Sequence, residues 1–418
     1  MSGAAPLSDA AWLKQGAVAR LLAVLDRDGE EARVVGGAVR NALLHLPVGE
    51  VDVATSAVPQ EVVRRVKAAG WKAVPTGIDH GTVTVVIDKH PFEVTTLRQD
   101  VETFGRKARV EFGRDWVADA QRRDFTINAL SASATGEVFD HVGGLDDIAA
   151  RRVRFIGDPA QRIAEDYLRI LRFFRFHAYF ASGAPDAAGL AACIRARAGL
   201  DQLSRERVRM ELVKLVVAPR AAATLWVMAD SGILGTVLGG VAYVSSFEKL
   251  AACEAAMGFE PDAVRRLGAL GVAVREDAER LAERLRLSNA EAQRLFALDG
   301  WWRVAPAAGE QPAHALLYRL GPQSFVDRVL VARSRAPAEA ADDDAAWRAL
   351  ATLPQRWTAP VFPLKSADFL RRGVPKGPAL GAALRAAEQA WIAADFPAAR
   401  DAVDAIADRT AQSAKAAL

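Results

Sequence analysis

The sequence predicts an α+β chain, with a small sheet and its helices in roughly the first 150 residues and an all-α remainder. Short runs of alternating apolar residues, the period of half-buried strands, cluster before residue 100. From about Asp158 that alternation gives way to Ala, Leu and Arg at helical spacing. The length of 418 residues exceeds one core, and a prior of roughly 150 residues per domain gives two to four structural units.

Along the chain, residues 11 to 27 read as an amphipathic helix. "RVVGGAV" (33–39) begins as a buried strand and ends at paired glycines, and "GEVDVAT" (49–55) alternates again. Pro59 to Ala69 reads as a helix laid against the sheet. "GTVTVVIDKHPFEVTTLR" (81–98) holds two alternating runs, Val83/Val85/Ile87 and Phe92/Val94, joined at Asp88-Lys89 as a hairpin. "AEDYLRILRFFRF" (164–176) is helical by period, with Tyr167, Ile170, Leu171 and Phe174 on its apolar side. "APAAGEQPAHA" (305–315) and "APAEAADDDAA" (336–346) read as loops or linkers, and no fixed-period repeat is present.

A formal charge of +3 and a pI near 8.9 permit a nucleic-acid partner without requiring one. Cys193 and Cys253 stand far apart and outside any CxxC pair, which argues against a zinc site and a disulfide framework. The N-terminal "MSGAAPLSDAAWLKQG" lacks the pattern of a secretory leader, and no stretch is apolar for the ~18 residues a membrane span needs. The expectation is a cytoplasmic, unanchored protein, with no protein partner implied. After His177 the only histidine is His314, too few for an appended metal-dependent phosphohydrolase domain.

The chemistry-bearing residues begin in "VVGGAVRNALLHLPVGEVDVAT" (34–55). Gly36-Gly37 at a strand end lets the backbone approach a ligand closely, and Arg40 follows in a helix, the outline of a phosphate cradle. On a strand, Glu50 and Asp52 point to one face. Carboxylates this close repel unless a cation lies between them. Taken alone, such a doublet is usually a solvated strand face. Glu93, between Phe92 and Val94, should project where it can join them, giving three acids suited to two-metal nucleotidyl transfer.

"QRRDFTINAL" (121–130) packs Arg122, Arg123 and Asp124 together. These residues are either a surface ion-pair cluster or arginines for a triphosphate or ribose, oriented by Asp124. Asp166 and Arg169 lie three apart, hence on one helix face. A carboxylate that accepts beside a guanidinium that donates matches cytosine and adenine, whereas uracil and guanine present the reverse pattern. The bland alternative is a helix ion pair of a few tenths of a kcal/mol.

With those residues in place, the chain resembles the class II tRNA nucleotidyltransferases, the bacterial-type CCA-adding enzymes, and their relatives the bacterial poly(A) polymerases, members of the polymerase-beta-like nucleotidyltransferase superfamily. "GGAVRN" with "EVDVAT" is similar to the first motif, "RRDFTINAL" to the second, "FDHVGGLDDI" to the third, "EDYLRILRFFRF" to the amino-acid template and "LSRERVRMELVKL" to the fifth, in family order across residues 34–215. The resemblance implies a polymerase-beta-like head over 1–150, a helical neck with the base-selecting helix over 151–220, a helical body over 221–305 and a tRNA-binding tail over 306–418. It implies addition of C, C and A to tRNA from CTP and ATP with Mg²⁺. Gly36, Gly37 and Arg40 would take the triphosphate, and Glu50, Asp52 and Glu93 the metal. Arg122 and Asp124 would serve phosphate and ribose, with Arg123, Asn128, Arg172 and Arg175 also at the nucleotide and Asp166/Arg169 reading the base. "FPLKSADFLRRGVPKGPALGAALRAAEQAW" (362–391) looks like the family's tail segment, where Gly377-Pro378 opens a helix suited to a backbone phosphate.

The chain departs from the family's pattern in three places. It has Glu50 and Asn41 where the family usually has Asp, and Asp140-His141-Val142-Gly143-Gly144 where it usually has Asp-Pro-Phe-Gly-Gly. A small backbone adjustment is expected to let Glu50 still ligate. "VPTGIDHGTVTVV" (74–86) and the Ala-rich C-terminus look like a CCA-adding enzyme more than a poly(A) polymerase. "LRQDVETFGRKARVEF" (97–112) looks like the flexible loop that CC-only enzymes lack. A bacterial poly(A) polymerase, an A-only enzyme and, more remotely, a non-catalytic RNA-binding relative are the alternatives.

Overall fold

In the computed structural model, which describes residues 7–77, 81–104, 107–337 and 344–417, the chain divides into two units, Met1–Val237 and Leu238–Leu418. The first unit carries the sheet. Its strands are β1 Ala32–Val35, β2 Asp52–Thr55, β3 Lys72–Gly77, β4 Thr82–Ile87, β5 His90–Thr96, β8 Ser131–Ala132 and β9 Val138–Phe139, ordered β3-β4-β5-β2-β1-β8-β9. β6 Arg98–Phe104 and β7 Lys107–Phe112 form a separate ribbon; Gly105 and Arg106, at the centre of the expected flexible loop, lie outside the described residues.

Two local features bring the acids together. The β4-β5 hairpin closes where Ile87 pairs with His90, leaving Asp88 and Lys89 as a two-residue link. Both have positive φ, 49° and 69°, the twist that matches paired strands. β5 then runs parallel to β2 with Val53 opposite Val94, and the same offset carries Asp52 level with Glu93. Val53 and Val94 are buried, so alternation sends both carboxylates to the other face.

β1 ends in a turn at Gly36 (φ 68°, ψ −120°), where an L side chain is strained, and the helix Gly37–Leu43 begins immediately. Helices Pro159–Glu165, Leu168–Phe180 and Arg205–Val216 follow. They are fixed to the sheet by an aromatic cluster. Phe125 lies 4.8 Å from Phe155 and 5.3 Å from Phe176, and Phe155 stacks on Phe173 at 5.4 Å. Fully burying such side chains supplies roughly 1.5–3 kcal/mol each.

Three expected elements differ. Residues 11–27 form two helices, Ala11–Lys14 and Gly16–Leu25, because Gly16 takes φ 72°. β2 begins at Asp52, so Glu50 stands in the preceding loop and not in the strand. The helix over 164–176 is broken at Asp166, whose φ of −158° and ψ of 107° are extended.

The second unit is helical throughout its described residues. Near its centre lies a buried ion cluster in which Glu254 accepts from Arg265 at 2.6 Å and Arg266 at 2.7 Å, and Asp327 accepts from Arg294 at 2.8 Å. The loop expected over 305–315 gives way to helix Glu310–Arg335, interrupted at Gly321 (φ 73°) ahead of Pro322. Ala315 and Tyr318, before the break, pack with Phe369, Trp391 and Ile406, whereas Phe325, Val329 and Leu330 after it are buried elsewhere. Of the second expected linker, residues 338–343 lie outside the described residues.

Gly144 caps the approach of two backbone segments, and a Cβ there would lie 2.4 Å from the Thr126 carbonyl oxygen. Gly144→Ala is therefore expected to destabilise the protein by about 1–3 kcal/mol, read as a lowered denaturation midpoint, because backbone cannot give way as a side-chain end does.

Candidate functional site

The turn after β1, the loop before β2, the 123–128 segment and helices Leu168–Phe180 and Arg205–Val216 enclose a cleft of about 640 Å³. Gly36, Gly37, Arg40, Glu50, Asp52, Arg123, Asp124, Asn128, Asp166, Arg169, Arg172 and Arg175 line it, together with Leu168, Phe176 and Arg207. Residues up to 171 sequence positions apart in that list converge only through the sheet register and the aromatic cluster. A second cleft of equal volume, around Arg154, Phe155 and Arg162, contains none of the expected site residues.

Asp124 occupies the centre. Its Oδ2 accepts from Arg172 Nε at 2.7 Å and Nη2 at 2.6 Å. Its Oδ1 accepts from the Phe125 amide at 2.9 Å and Asn128 Nδ2 at 3.2 Å. Burial pushes the carboxyl up, but the Arg172 guanidinium and these donors more than offset it, so it lies below the ordinary carboxylate range. All four lone-pair positions are thus engaged, and Asp124 orients its neighbours without an acceptor left for a ribose.

The Arg40 guanidinium is buried, donates to Asn128 Oδ1, and reaches Asn41 Oδ1 from Nη2 at 2.9 Å. It lies over the Phe180 ring at 4.0 Å. Burial, and then the nearby Arg175 charge, push it down to about 10. The neutral Asn41 orients Arg40 without cancelling its charge, as an aspartate there would. Every other guanidinium in the cleft has a carboxylate partner: Arg123 with Asp119, Arg169 with Glu165, Arg172 with Asp124, Arg175 with Glu211 and Arg207 with Asp166. Among the described residues lining the cleft, Arg40 alone is left with uncompensated positive charge.

Arg122 does not line the cleft. Its guanidinium is taken by Asp119, with Nε at 2.8 Å, while the adjacent Arg123 reaches the cleft from the same carboxylate. Asp119 ties down one arginine and presents the next.

At the other end stand the acids. Desolvation in the cleft raises the Asp52 carboxyl above its ordinary value, and the charges of Glu93 and Glu50 raise it further, against an opposing pull from Arg123. None of the three acids is in an ion pair among the described residues, and the Arg123 charge offsets their repulsion at Asp52 only in part. All-oxygen donors of this charge suit a hard divalent cation. Glu93 sits outside the cleft lining, and among the described residues no three acid, imidazole or thiol groups already converge into a closed cage. The residues fit an open, oxygen-rich cation site in which Asp52 is the common member.

Asp166 and Arg169 line the cleft but are not paired with each other. Arg207 Nη2 donates to Asp166 Oδ2 at 2.6 Å and Nη1 to Oδ1 at 3.1 Å, while Arg169 donates to Glu165 and to the Arg162 carbonyl at 2.6 Å. Arg207, Glu165, Asp119 and Glu211 are the site residues that sequence reasoning missed. The signal for two of them was the Arg207/Glu211 spacing of one helical turn within "LSRERVRMELVKL".

Comparison with known proteins gives a consistent result. Residues 32–154 match the model of the poly A polymerase head domain, and 186–243 that of a probable RNA and SrmB-binding site of polymerase A. The mitochondrial CCA tRNA nucleotidyltransferase 1 of Mus musculus is 32% identical over 382 residues, spanning 87% of this chain and 83% of that protein. The CCA-adding enzyme of Leuconostoc citreum is 38% identical over 224 residues, 53% of this chain and 54% of its own. The crystal structure of the Bacillus stearothermophilus CCA-adding enzyme in complex with CTP superposes with a TM-score of 0.75 at 27% identity, covering 95% of this chain and 98% of that one.

An acid whose carboxyl is raised on folding costs stability once it ionises, and that cost is absent below its unfolded value. In metal-free buffer, Asp52→Asn is therefore expected to raise the thermal midpoint at pH 7 and to leave it unchanged near pH 3.5. A lowered midpoint at pH 7 would show that the carboxylate is stabilised by a partner.

Proposed function

Because the chain belongs to the CCA tRNA nucleotidyltransferase family, we propose that the cleft around Asp124 is its nucleotide and catalytic site. The enzyme adds C, C and A to the 3′ end of tRNA from CTP and ATP, without a nucleic-acid template. In each cycle the tRNA 3′-hydroxyl attacks the α-phosphorus of the bound nucleotide and pyrophosphate leaves. The observation that carries the site assignment is the separation of unbalanced charge within one cleft: free positive charge at Arg40, crowded carboxylates at Asp52.

Each end has its part in this reading. Arg40 and the Gly36-Gly37 backbone hold the triphosphate, with Arg123 in the phosphate role expected of Arg122. Asn128 bridges Arg40 to Asp124, and Asp124 in turn holds Arg172. Arg175, pinned by Glu211, flanks the triphosphate end. Asp166 and Arg169 meet the base edge. Glu50, Asp52 and Glu93 would hold Mg²⁺, which when bound supplies charge neutralisation at the attacking and leaving oxygens. Placing Glu50 in a loop ahead of β2 frees its backbone from the ladder, so the longer side chain has room to swing towards the ion. The division into head, neck, body and tail at residues 150, 220 and 305 belongs to the same proposal, with every cleft residue in the first two segments.

No helix of the described residues is long and apolar enough to cross a membrane. Relatives include mitochondrial proteins, and our reading of a cytoplasmic setting rests on the unpaired, buried Cys193 and Cys253.

Incubation with tRNA ending before C, after C or after CC, with CTP, ATP and Mg²⁺, is expected to restore CCA in each case and then stop. Long A tracts on generic RNA, or no incorporation, would overturn the reading. Asp52→Ala and Glu50→Gln should each lower the rate by about a hundredfold or more, since displacing a reacting group by ~1 Å already costs that much. A Glu50→Gln enzyme of undiminished rate would remove Glu50 from the metal site.

A further inference from the structure

Asp166 stands in an extended residue between two helices, where nothing in its own segment fixes its carboxylate except the Leu168 amide, which donates to Oδ1 at 3.1 Å. Its orientation comes from Arg207, 41 residues later, which grips both oxygens. An ionised carboxylate offers four lone-pair positions. On Asp166, Oδ1 is filled by Leu168 and Arg207 Nη1, and Oδ2 receives Arg207 Nη2. One acceptor position, on Oδ2, is left for the cleft.

We propose that Arg207 is a specificity-determining positioning residue: it holds Asp166 as an ionised, acceptor-only carboxylate with a single free lone pair, and so enforces the rejection of UTP and GTP. The inference rests on the reading that Asp166 and Arg169 meet the base. Cytosine and adenine present an exocyclic amino donor that this lone pair accepts, whereas uracil and guanine present a carbonyl oxygen that it repels. A protonated Asp166 would reverse that contact, because its hydroxyl would donate to the carbonyl of uracil. Selectivity therefore depends on the carboxyl remaining ionised.

The charges around Asp166 are arranged to that end. Burial pushes its carboxyl up, but Arg207, the Leu168 amide and Arg169 outweigh it, leaving the group below its ordinary value. Arg172 adds a further positive charge from the same helix as Arg169. Glu165 precedes Asp166 in the chain, but its charge is spent on Arg162 and Arg169. Glu50 and Asp52 line the same cleft as negative charges. Without Arg207, burial would act on Asp166 with much less opposition. Removing that guanidinium moves the protonation of Asp166 upwards, towards the pH range in which the enzyme is assayed.

The test is the ratio of UTP to CTP incorporation on tRNA ending before C, measured from pH 8 to pH 5.5. Using a ratio on one enzyme cancels the pH dependence of metal binding. The wild type should keep a flat, low ratio. In Arg207→Met the ratio should climb as pH falls, by up to about tenfold per pH unit while the protonated fraction is small. Arg207→Lys keeps the charge without the fork, and should show a flat ratio with a raised KM for CTP, which separates charge from orientation. Arg207→Gln replaces Arg207→Met should the latter not stay folded, as judged by circular dichroism. A flat, wild-type ratio in the Met or Gln variant, alongside a relaxed ratio in Asp166→Ala, would overturn the role of Arg207 while leaving the base-reading pair intact. An unchanged ratio in Asp166→Ala would overturn the base-reading assignment itself.

Discussion

The arrangement of the cleft depends on the half-buried ion pair between Asp124 and Arg172. Asp124 follows directly on the Arg122-Arg123 doublet, and Arg172 lies in the helix Leu168–Phe180, so the pair joins the sheet-bearing segment to the helix that carries Arg169 and Arg175. The same carboxylate fixes Asn128, which fixes Arg40. A chain of three polar contacts thus sets the distance between Arg40 and the helix Leu168–Phe180. The residues next in the chain to the pair, Phe125 and Phe173, are buried, and each packs on Phe155.

Local neutralisation is the second theme. Five of the six arginines in the cleft are matched to a carboxylate, which leaves them oriented and electrically quiet. Net charge survives only where chemistry needs it. This division makes the two ends independent: the acids near Asp52 respond to cations, and Arg40 to anions, without either collapsing onto the other in the absence of ligand. Arg123, which opposes the upward shift of Asp52, is restrained by Asp119 from closing that gap.

Much of this was legible beforehand, and the exceptions share a cause. The Asp88-Lys89 link and the strand end at Gly36 are local matters of alternation and backbone preference and appear where the pattern put them, and the last described strand, β9, ends ahead of Asp158, from which helical spacing was expected. The function was legible through the order of the motifs, which the relatives bear out. The break at Asp166 was not, because "AEDYLRILRFFRF" contains no glycine or proline and its apolar stripe runs on uninterrupted. Its partner Arg207 is remote in sequence. Likewise, two adjacent arginines look alike in a sequence, and only Asp119, one helical turn back, decides which of them enters the cleft. Glu50 was placed in a strand because alternation continues through it, but β1 offers partners only as far as Val35, opposite Asp52.

The interruption at Gly321 has a mechanical consequence for the C-terminal unit. An unbroken helix from Glu310 to Arg335 would act as a stiff rod, transmitting any torque at its first turns to its last. Proline lacks the amide that would bridge the joint, and the positive φ of Gly321 breaks the helical path there. The part before the break packs with the aromatic residues around Trp391, and the part after it carries Asp327 into the ion cluster, so each half is oriented by its own contacts. The helix thereby behaves as two short levers sharing a bearing.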